Sequence, residues 1–398
     1  MTAHPHSSSL LFIAGEASGD AHAAEVIKHI KSRFPEIRCF GAGGPRMREA
    51  GMELVLDLTQ HAVLGLVEVL RNYFKFRRFF YQMLELVEQT NPDAVVLVDY
   101  PGFNLRFAKA LHRRYRQKRD RPQVIYYICP QVWAWGERRV KVIERCVDLM
   151  LSIFPFEKAW FAARAPGLRV EFVGHPMLDR FPPRNRAASP QADDGRMLAL
   201  LPGSRLREVR VHWPILREAA RYILQRQNQK VVALAISERV QSLLREDGAG
   251  SIEISDNPGE SLGRASAAIA CSGTATLECA YFGVPAVVLY KVAWPTYWIG
   301  RMLVKVKHLA MPNVLAGETI YPEFIQGRAK PEPIARETIR LLTDPGRRAE
   351  MKMKLARVIE SLGEPGASAR AAQHILDMVT ARQSLLGNSR KTPDDNPH

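Results

Sequence analysis

The chain has 398 residues, 46% of them hydrophobic, and a formal net charge of +15. This length predicts two domains with ordinary globular cores, and no stretch approaches the roughly 18 uncharged apolar residues that a membrane-spanning helix needs. Five scattered cysteines without a CxxC pair argue against a disulfide framework or a zinc site and favour reduced thiols in the cytosol.

The first half of the chain alternates short apolar runs with helix-like segments, which is typical of a parallel sheet with helical crossovers. Six runs are predicted strands: residues 10–14, 37–41, 94–99, 124–128, 149–153 and 170–173. They define a Rossmann-like N-terminal domain over residues 1–180. The following segment, residues 181–196, is rich in proline, alanine and charge and is predicted to be a linker.

The first predicted strand runs into "GEASGD", which lacks the glycine spacing of a dinucleotide-binding loop. The loop instead places polar and acidic side chains beside a predicted helix N-terminus, which prefers anions. Its candidate site residues are Gly15, Glu16, Ser18, Gly19 and Asp20. A dinucleotide is therefore not expected here.

Residues 63–84 mix aliphatic, aromatic and basic side chains in one predicted helix. This composition suits a membrane interface or a lipid-binding groove. The alternative is a core helix whose basic residues extend to solvent. The apolar candidates for lipid contact are Leu64, Leu66, Val69, Phe74, Phe76, Phe79 and Phe80.

Asp99 lies at the end of an apolar run and precedes a Pro-Gly turn. The carboxyl end of a strand is where open α/β sheets bind ligands, so we expect this carboxylate to act as a general base. The alternative is that it caps the following helix. His175, between a predicted strand and a proline, is a second candidate, although lone histidines are more often structural.

Residues 106–121 contain eight Lys and Arg against one Asp. Such a segment attracts nucleic acid, anionic membranes or phosphorylated substrates, unless it is simply a solvated helix face. Because the chain shows no nucleic-acid-binding motif, no nucleic-acid partner is expected. Trp133 and Trp135, a little further on, suit sugar stacking or buried packing.

The alternation restarts at "MLALLPGSR", residues 197–205, and continues with predicted strands at 231–235, 251–254, 267–270 and 286–290. We predict a second Rossmann-like domain over residues 197–345, helices over 346–386 and a disordered tail over 387–398. Two doubly wound domains in succession would face each other across a cleft, where ligands usually bind.

Two strand-to-helix loops of the second half have the character of phosphate-binding loops. Each combines a glycine with donors at a helix start, although neither is a Walker loop. Their residues are Gly203, Ser204 and Arg205 in the first loop and Ser272, Gly273 and Thr274 in the second. Glu278, one helical turn further, is placed to bind a ribose. The alternative is a pair of ordinary capped helices.

Residues 311–326 are predicted to form a polar loop that could orient a polyhydroxylated ligand. Asn313 and Gln326 are its candidate ligand contacts. A plain surface loop is the alternative.

Taken together, these motifs resemble the lipid-A-disaccharide synthase family of GT-B glycosyltransferases. The matching strings include "AGEASGD", "LGLVEVL", "VDYPGFN", "CPQVWAWG", "VGHP", "LPGSR" and "SGTATLE", in order across residues 13–326. The resemblance implies transfer of a 2,3-diacylglucosamine from UDP onto 2,3-diacylglucosamine 1-phosphate. The products are a β-1,6-linked disaccharide 1-phosphate and UDP, with inversion at the anomeric carbon.

The resemblance also organises the candidate residues. Asp99 is the expected base, the loops at 203–205 and 272–274 the UDP site with Glu278, and Asn313 and Gln326 weaker donor contacts. The loop at 15–20 then faces the acceptor. No cofactor and no metal site are predicted, and an anionic membrane surface is an expected partner. We expect a cytoplasmic protein bound peripherally to the inner face of the cytoplasmic membrane.

Several alternatives stay open. A related UDP-sugar enzyme, such as a 2-epimerase, would share the two-domain plan. Acyl-chain length, the choice between Asp99 and His175 as the base, and a homodimer as the oligomeric state are not decided by the sequence.

Overall fold

The computed structural model describes residues 8–59, 73–116, 121–181, 197–303 and 306–389. The chain divides into two compact units, one of Met1–Arg180 with Gly363–His398 and the other of Phe181–Leu362. Each unit is built on its own parallel sheet, so the predicted α/β class with two doubly wound sheets is confirmed.

The described part of the first unit contains a seven-stranded parallel sheet with the order β3-β2-β1-β4-β5-β6-β7. Its central strands are continuous apolar runs because helices cover both faces of the sheet. The strands are β1 (Ser9–Ala14), β2 (Arg38–Gly43), β3 (Glu53–Asp57), β4 (Ala94–Val98), β5 (Gln123–Tyr127), β6 (Leu149–Ser152) and β7 (Arg169–Phe172). Six were predicted. The edge strand β3 was not, because it is half-exposed and lacks a continuous apolar run.

Helices connect these strands, as crossovers between parallel strands require. The described helices are α1 (Ala17–Arg33), α2 (Pro45–Glu49), α3 (Tyr73–Thr90), α4 (Pro101–Arg114), α5 (Val140–Cys146), α6 (Pro155–Ala162) and α7 (Met177–Arg180).

The described part of the second unit contains a six-stranded parallel sheet with the order β10-β9-β8-β11-β12-β13. The strands are β8 (Met197–Leu201), β9 (Lys230–Leu234), β10 (Glu253–Ser255), β11 (Ala267–Cys271), β12 (Ala286–Tyr290) and β13 (Glu323–Ile325). The prediction of a loop over residues 311–326 is wrong, since that segment contains a short helix and strand β13.

The helices of the second unit cover both faces of its sheet. They are α8 (Leu206–Leu224), α9 (Glu238–Glu246), α10 (Pro258–Arg264), α11 (Thr274–Tyr281), α12 (Trp294–Leu303), α13 (Met311–Ala316), α14 (Pro331–Thr343) and α15 (Pro345–Ser361).

The last helix, α16 (Ala367–Ser389), belongs to the first unit, where it packs against α1 and β5. Its start is fixed by the Asp179 carboxylate, which accepts hydrogen bonds from the backbone N–H groups of Gly366, Ala367 and Ser368 at 2.5–3.1 Å. The predicted C-terminal helices therefore separate, α15 in one unit and α16 in the other. Among the described helices, none is long and apolar enough to cross a bilayer.

Candidate active site

In the first sheet the strand order reverses between β1 and β4, and open α/β sheets bind ligands at the carboxyl ends of such strands. Ala14 and Val98 are paired in register at the ends of these two strands. The next residues, Gly15 and Asp99, therefore leave the sheet side by side. The sequence motifs at 15–20 and 95–104 thus meet at the switch point of this sheet.

The turn after β4 is strained and held by main-chain contacts. Asp99 and Tyr100 have positive φ angles of 46° and 48°, which cost of order 1–3 kcal/mol each in residues other than glycine. The Asp99 carbonyl accepts hydrogen bonds from Asn104 Nδ2 at 2.8 Å and Tyr126 Oη at 2.6 Å. Its N–H donates to the Tyr127 carbonyl. This turn fixes where the half-buried Asp99 side chain leaves the sheet.

Gly15 is required because the Tyr100 ring lies against it. A Cβ on Gly15 would lie 2.2 Å from Tyr100 Cδ1, which is far inside contact distance. The two loops of the switch point are therefore packed together. Beyond Gly15, Glu16 is half-buried and Ser18 is exposed, so they are the polar side chains of this loop that remain accessible.

Asp20 differs from the other residues of this loop because its carboxylate is buried and already used. It accepts hydrogen bonds from the backbone N–H groups of Gly44, Arg46 and Met47 at 2.8–3.1 Å and so caps α2. Because helix N-terminal amides occupy its oxygens, Asp20 is suited to holding the loop in place, and the assignment of the loop to the acceptor stays a prediction.

His175 is buried beyond β7, three strands from β4 and hence about 14 Å across the sheet at normal strand spacing. Its Nδ1 accepts a hydrogen bond from the Met177 N–H at 3.2 Å, and its ring packs against Phe154. Burial, helped by nearby His22, lowers the pKa of His175 to about 3. A neutral imidazole with Nδ1 occupied is poorly suited to accept a proton, which favours Asp99 as the base.

The two tryptophans of the first unit have different environments. Trp133 is buried and donates from Nε1 to Glu157 at 3.0 Å, so buried packing is its role. Burial raises the pKa of Glu157 to about 7, against the lowering effect of its hydrogen bonds to Trp133 and to the Phe154 N–H. Trp135 is more exposed, and the Arg139 guanidinium lies 4.6 Å from its ring centroid.

The predicted lipid-contact helix divides between core and surface. Leu64, Leu66 and Val69 lie outside the described residues. Phe79 is buried, and Phe80 packs edge-on against Phe103 and Phe107 at 5.5 and 5.7 Å. Phe80 thus packs α3 against α4, and lipid contact by Phe79 and Phe80 stays a prediction.

Two aromatic residues of α3 keep part of their surface in solvent. Phe74 is 77% exposed, and Phe76 is half-buried.

In the second sheet the order reverses between β8 and β11, where Leu201 and Ala270 pair in register. Both predicted phosphate loops therefore lie at the switch point of this sheet. Gly203 and Gly273 have φ angles of 112° and 136°, which only glycine adopts readily. The loops lead directly into α8 and α11, so two helix N-termini begin beside each other and together favour an anion.

The side chains of these loops are largely open to a ligand. Ser204, Arg205 and Thr274 are exposed, and Arg205 Nη1 lies 3.6 Å from Glu208 Oε1. Ser272 Oγ donates to the Leu309 carbonyl at 2.9 Å. Glu278 is buried one turn into α11. The arrangement can neutralise a diphosphate through helix amides, hydroxyls and one guanidinium.

The side-chain amides of Asn313 and Gln326 form hydrogen bonds within the second unit. The amide of Asn313 donates to Tyr321 O and Glu323 Oε1 and accepts from the Ile320 and Tyr321 N–H groups, all within 2.9 Å. Gln326 makes two hydrogen bonds with the backbone of Val292. These contacts favour a positioning role for both amides, and their donor contact stays a prediction.

Sequence reasoning missed His212, a buried residue of α8 that joins three strand ends. Its Nδ1 lies 3.4 Å from the Pro202 carbonyl and 3.0 Å from Cys271 Sγ. Its Nε2 lies 3.0 Å from the Lys291 carbonyl and 3.1 Å from the Lys291 nitrogen. Whichever nitrogen carries the proton, the imidazole links the ends of β8, β11 and β12 beneath the two phosphate loops.

One signal in the sequence points to His212. It occupies a core-facing position of α8, between the buried Val209 and Leu216, where a polar side chain must find partners.

A family model described as lipid-A-disaccharide synthetase matches residues 10–378. The chain is 39% identical to a lipid-A-disaccharide synthase of Geobacter sulfurreducens over 93% of its own length and 97% of that protein. It is 38% identical to one of Myxococcus xanthus over the same shares.

Solved structures share the fold at low sequence identity. The glycosyltransferase of kitacinnamycin has a TM-score of 0.61 at 15% identity, covering 94% of this chain and 100% of that one. The UDP-GlcNAc 2-epimerase from Neisseria meningitidis, bound to UDP-GlcNAc, has a TM-score of 0.59 at 12% identity, with coverage of 94% and 100%. At such identities the likeness shows the fold alone.

The matched family model covers both sheets and both switch points, and curated relatives align over nearly their whole length. The resemblance found in the motifs is thereby confirmed. The chain belongs to the lipid-A-disaccharide synthetase family, glycosyltransferases of lipid A biosynthesis.

Proposed function

We propose that the chain transfers 2,3-diacylglucosamine from UDP to the 6-hydroxyl of 2,3-diacylglucosamine 1-phosphate, with inversion. The observation that carries this proposal is the placement of polar motifs at both switch points. One sheet presents a carboxylate, Asp99, and the other presents two glycine-containing loops at helix N-termini. A base and a diphosphate site are the two parts that a single displacement needs.

The second unit binds the donor in this proposal. The N-termini of α8 and α11, with Gly203, Ser204, Arg205 and Thr274, hold the diphosphate, and Glu278 takes the ribose. Because helix amides and a guanidinium are strongest toward the developing charge of the leaving group, they contribute to catalysis as well as to binding.

The first unit binds the acceptor and activates it. Asp99 removes the proton of the 6-hydroxyl as its oxygen attacks the anomeric carbon. The new C1–O6 bond forms while the bond from C1 to the UDP oxygen breaks, and UDP leaves with the bonding electron pair. Attack opposite an α-linked leaving group gives the β product. Gly15, Glu16, Ser18 and Gly19 face the acceptor, with Asp20 holding the loop.

The first unit also has a surface suited to an anionic membrane, from which lipid substrates would be drawn. Arg106, Lys109 and Arg113 recur on the exposed side of α4 at helical spacing, and the exposed Arg116 follows the end of the helix. Burial raises the pKa of the Cys146 thiol, and the positive charges of Arg121, Lys109, Arg145 and Arg113 act against that rise. We propose peripheral binding to the inner face of the cytoplasmic membrane.

The proposal is tested by the anomeric configuration of the product and by separating the two binding events. Proton NMR of the disaccharide should show a β-1,6 linkage. Arg205→Ala should weaken UDP binding at least about tenfold, whereas Glu16→Gln should raise the KM for the acceptor and leave UDP binding unchanged. An α linkage, or turnover of soluble UDP-N-acetylglucosamine in place of the acylated donor, would overturn it.

A further inference from the structure

Helix α12 of the second unit exposes an unusual amount of aromatic surface. Trp294 and Trp298 are 56% and 57% exposed, and they are four residues apart, so they lie on the same side of the helix. The ring of Tyr297 makes edge-on contacts with both indoles at 5.8 Å between centroids. A contiguous aromatic surface of this kind marks an interaction site in a folded protein.

The sequence of this helix and its flanking segments carries charge of one sign. From Lys291 to Gly317 the sequence contains no Asp or Glu, whereas it contains Arg301, Lys305 and Lys307 in addition to Lys291. Arg301 and Lys307 are exposed, and Arg301 Nη1 lies 3.4 Å from Tyr297 Oη. The segment therefore combines indole and phenol rings with cations and contributes no acidic side chain of its own.

The aromatic surface of α12 lies near the predicted phosphate loops of the same unit. The helix begins four residues after β12, at the carboxyl edge of the sheet that also carries the loops at 203–205 and 272–274. The segment between β12 and α12 is fixed by the two hydrogen bonds between Val292 and Gln326. The aromatic surface thus has a defined position on the edge that holds the phosphate-type loops.

We propose that α12 is a membrane-contacting surface whose partner is an anionic bilayer. Indole and phenol rings have an apolar body and a polar tip and collect at the headgroup level of membranes. Lys and Arg beside these rings are attracted to anionic headgroups. A protein partner would instead have to supply acidic side chains to pair with these cations. The inference rests on the peripheral membrane binding proposed above, to which it adds a surface on the second unit, and it is independent of the proposed reaction.

The test is cosedimentation of the full chain with vesicles of phosphatidylcholine, with or without about one third phosphatidylglycerol. We expect the variant Trp294→Ser with Trp298→Ser to bind the anionic vesicles about tenfold less well. Arg301→Glu with Lys307→Glu should lose a similar factor on anionic vesicles only. Met353→Ser, which removes a 53% exposed apolar side chain of α15, is the matched control and should bind normally.

UDP affinity and the thermal unfolding midpoint are measured for every variant and should stay unchanged, which separates this test from any failure of the proposed reaction. Normal vesicle binding by the double tryptophan variant would overturn the proposal. So would a change confined to the oligomeric state in sedimentation equilibrium, since that result would assign α12 to contact between copies of the chain.

Discussion

The link made by His212 leads to a prediction about how the donor site is built. Replacing His212 with Leu removes the side-chain partner of the Lys291 backbone at the end of β12 and one of the two partners of the Pro202 carbonyl, which directly precedes the loop at 203–205. Losing a partner at a buried polar group costs about 1–3 kcal/mol, so the two losses together should lower the free energy of unfolding by about 2–6 kcal/mol. The ends of β8 and β12 should also lose their fixed separation.

A loss of stability alone would not show a role in positioning the loops. Leu216→Ala is the matched control, because Leu216 lies on the same helix, is fully buried and makes only apolar contacts through its side chain. Its cavity should cost a comparable 2.7–5.0 kcal/mol, on the order seen for buried leucines. We expect Leu216→Ala to keep its UDP affinity and His212→Leu to bind UDP at least about tenfold more weakly.

The assay combines urea unfolding, followed by circular dichroism, with calorimetric titration of UDP under conditions where all variants are folded. His212→Gln, which can keep a partner at Lys291, should recover part of the lost affinity. Equal UDP affinity in His212→Leu and Leu216→Ala would refute the reasoning and leave His212 as an ordinary core residue.

Three further predictions concern the first unit. Gly15→Ala should greatly reduce acceptor-dependent turnover with little change in UDP affinity, because the added Cβ would lie 2.2 Å from the Tyr100 ring; unchanged acceptor kinetics would contradict this. Asp20→Ala leaves three backbone N–H groups of the α2 start without their acceptor and should lower the unfolding free energy by about 2–4 kcal/mol, measured in urea, with Asp20→Asn intermediate. The pKa of His175 is lowered by burial to about 3, so the unfolded chain binds more protons and stability falls as pH drops below about 6.5, by about 1.4 kcal/mol per pH unit from this group. His175→Asn should flatten that dependence in urea unfolding between pH 6.5 and 4.5, and an unaltered slope would contradict it.

The sheets were largely predictable because parallel strands covered on both faces are continuous apolar runs. β3 and β13 were not, because both are short edge strands with half-exposed residues. Their pairing depends on neighbours far along the chain, which a local pattern does not contain.

The motifs at the two switch points were predictable because they follow apolar strands directly. The contacts that could not be predicted join residues that are distant in sequence. Asp20 caps a helix 24–27 residues later, and His212 contacts residues up to 79 positions away. Asn313 illustrates a further difficulty, since an amide that closes a buried turn has the same sequence signature as one that binds a sugar.

The central claim is that Asp99 activates the acceptor while the second unit holds UDP. The most direct test is UDP release from UDP-2,3-diacylglucosamine, with and without 2,3-diacylglucosamine 1-phosphate, for the wild type and Asp99→Asn side by side. We predict acceptor-dependent release by the wild type, and a loss of about a hundredfold or more in the variant with UDP affinity unchanged. Full activity of Asp99→Asn would contradict the account.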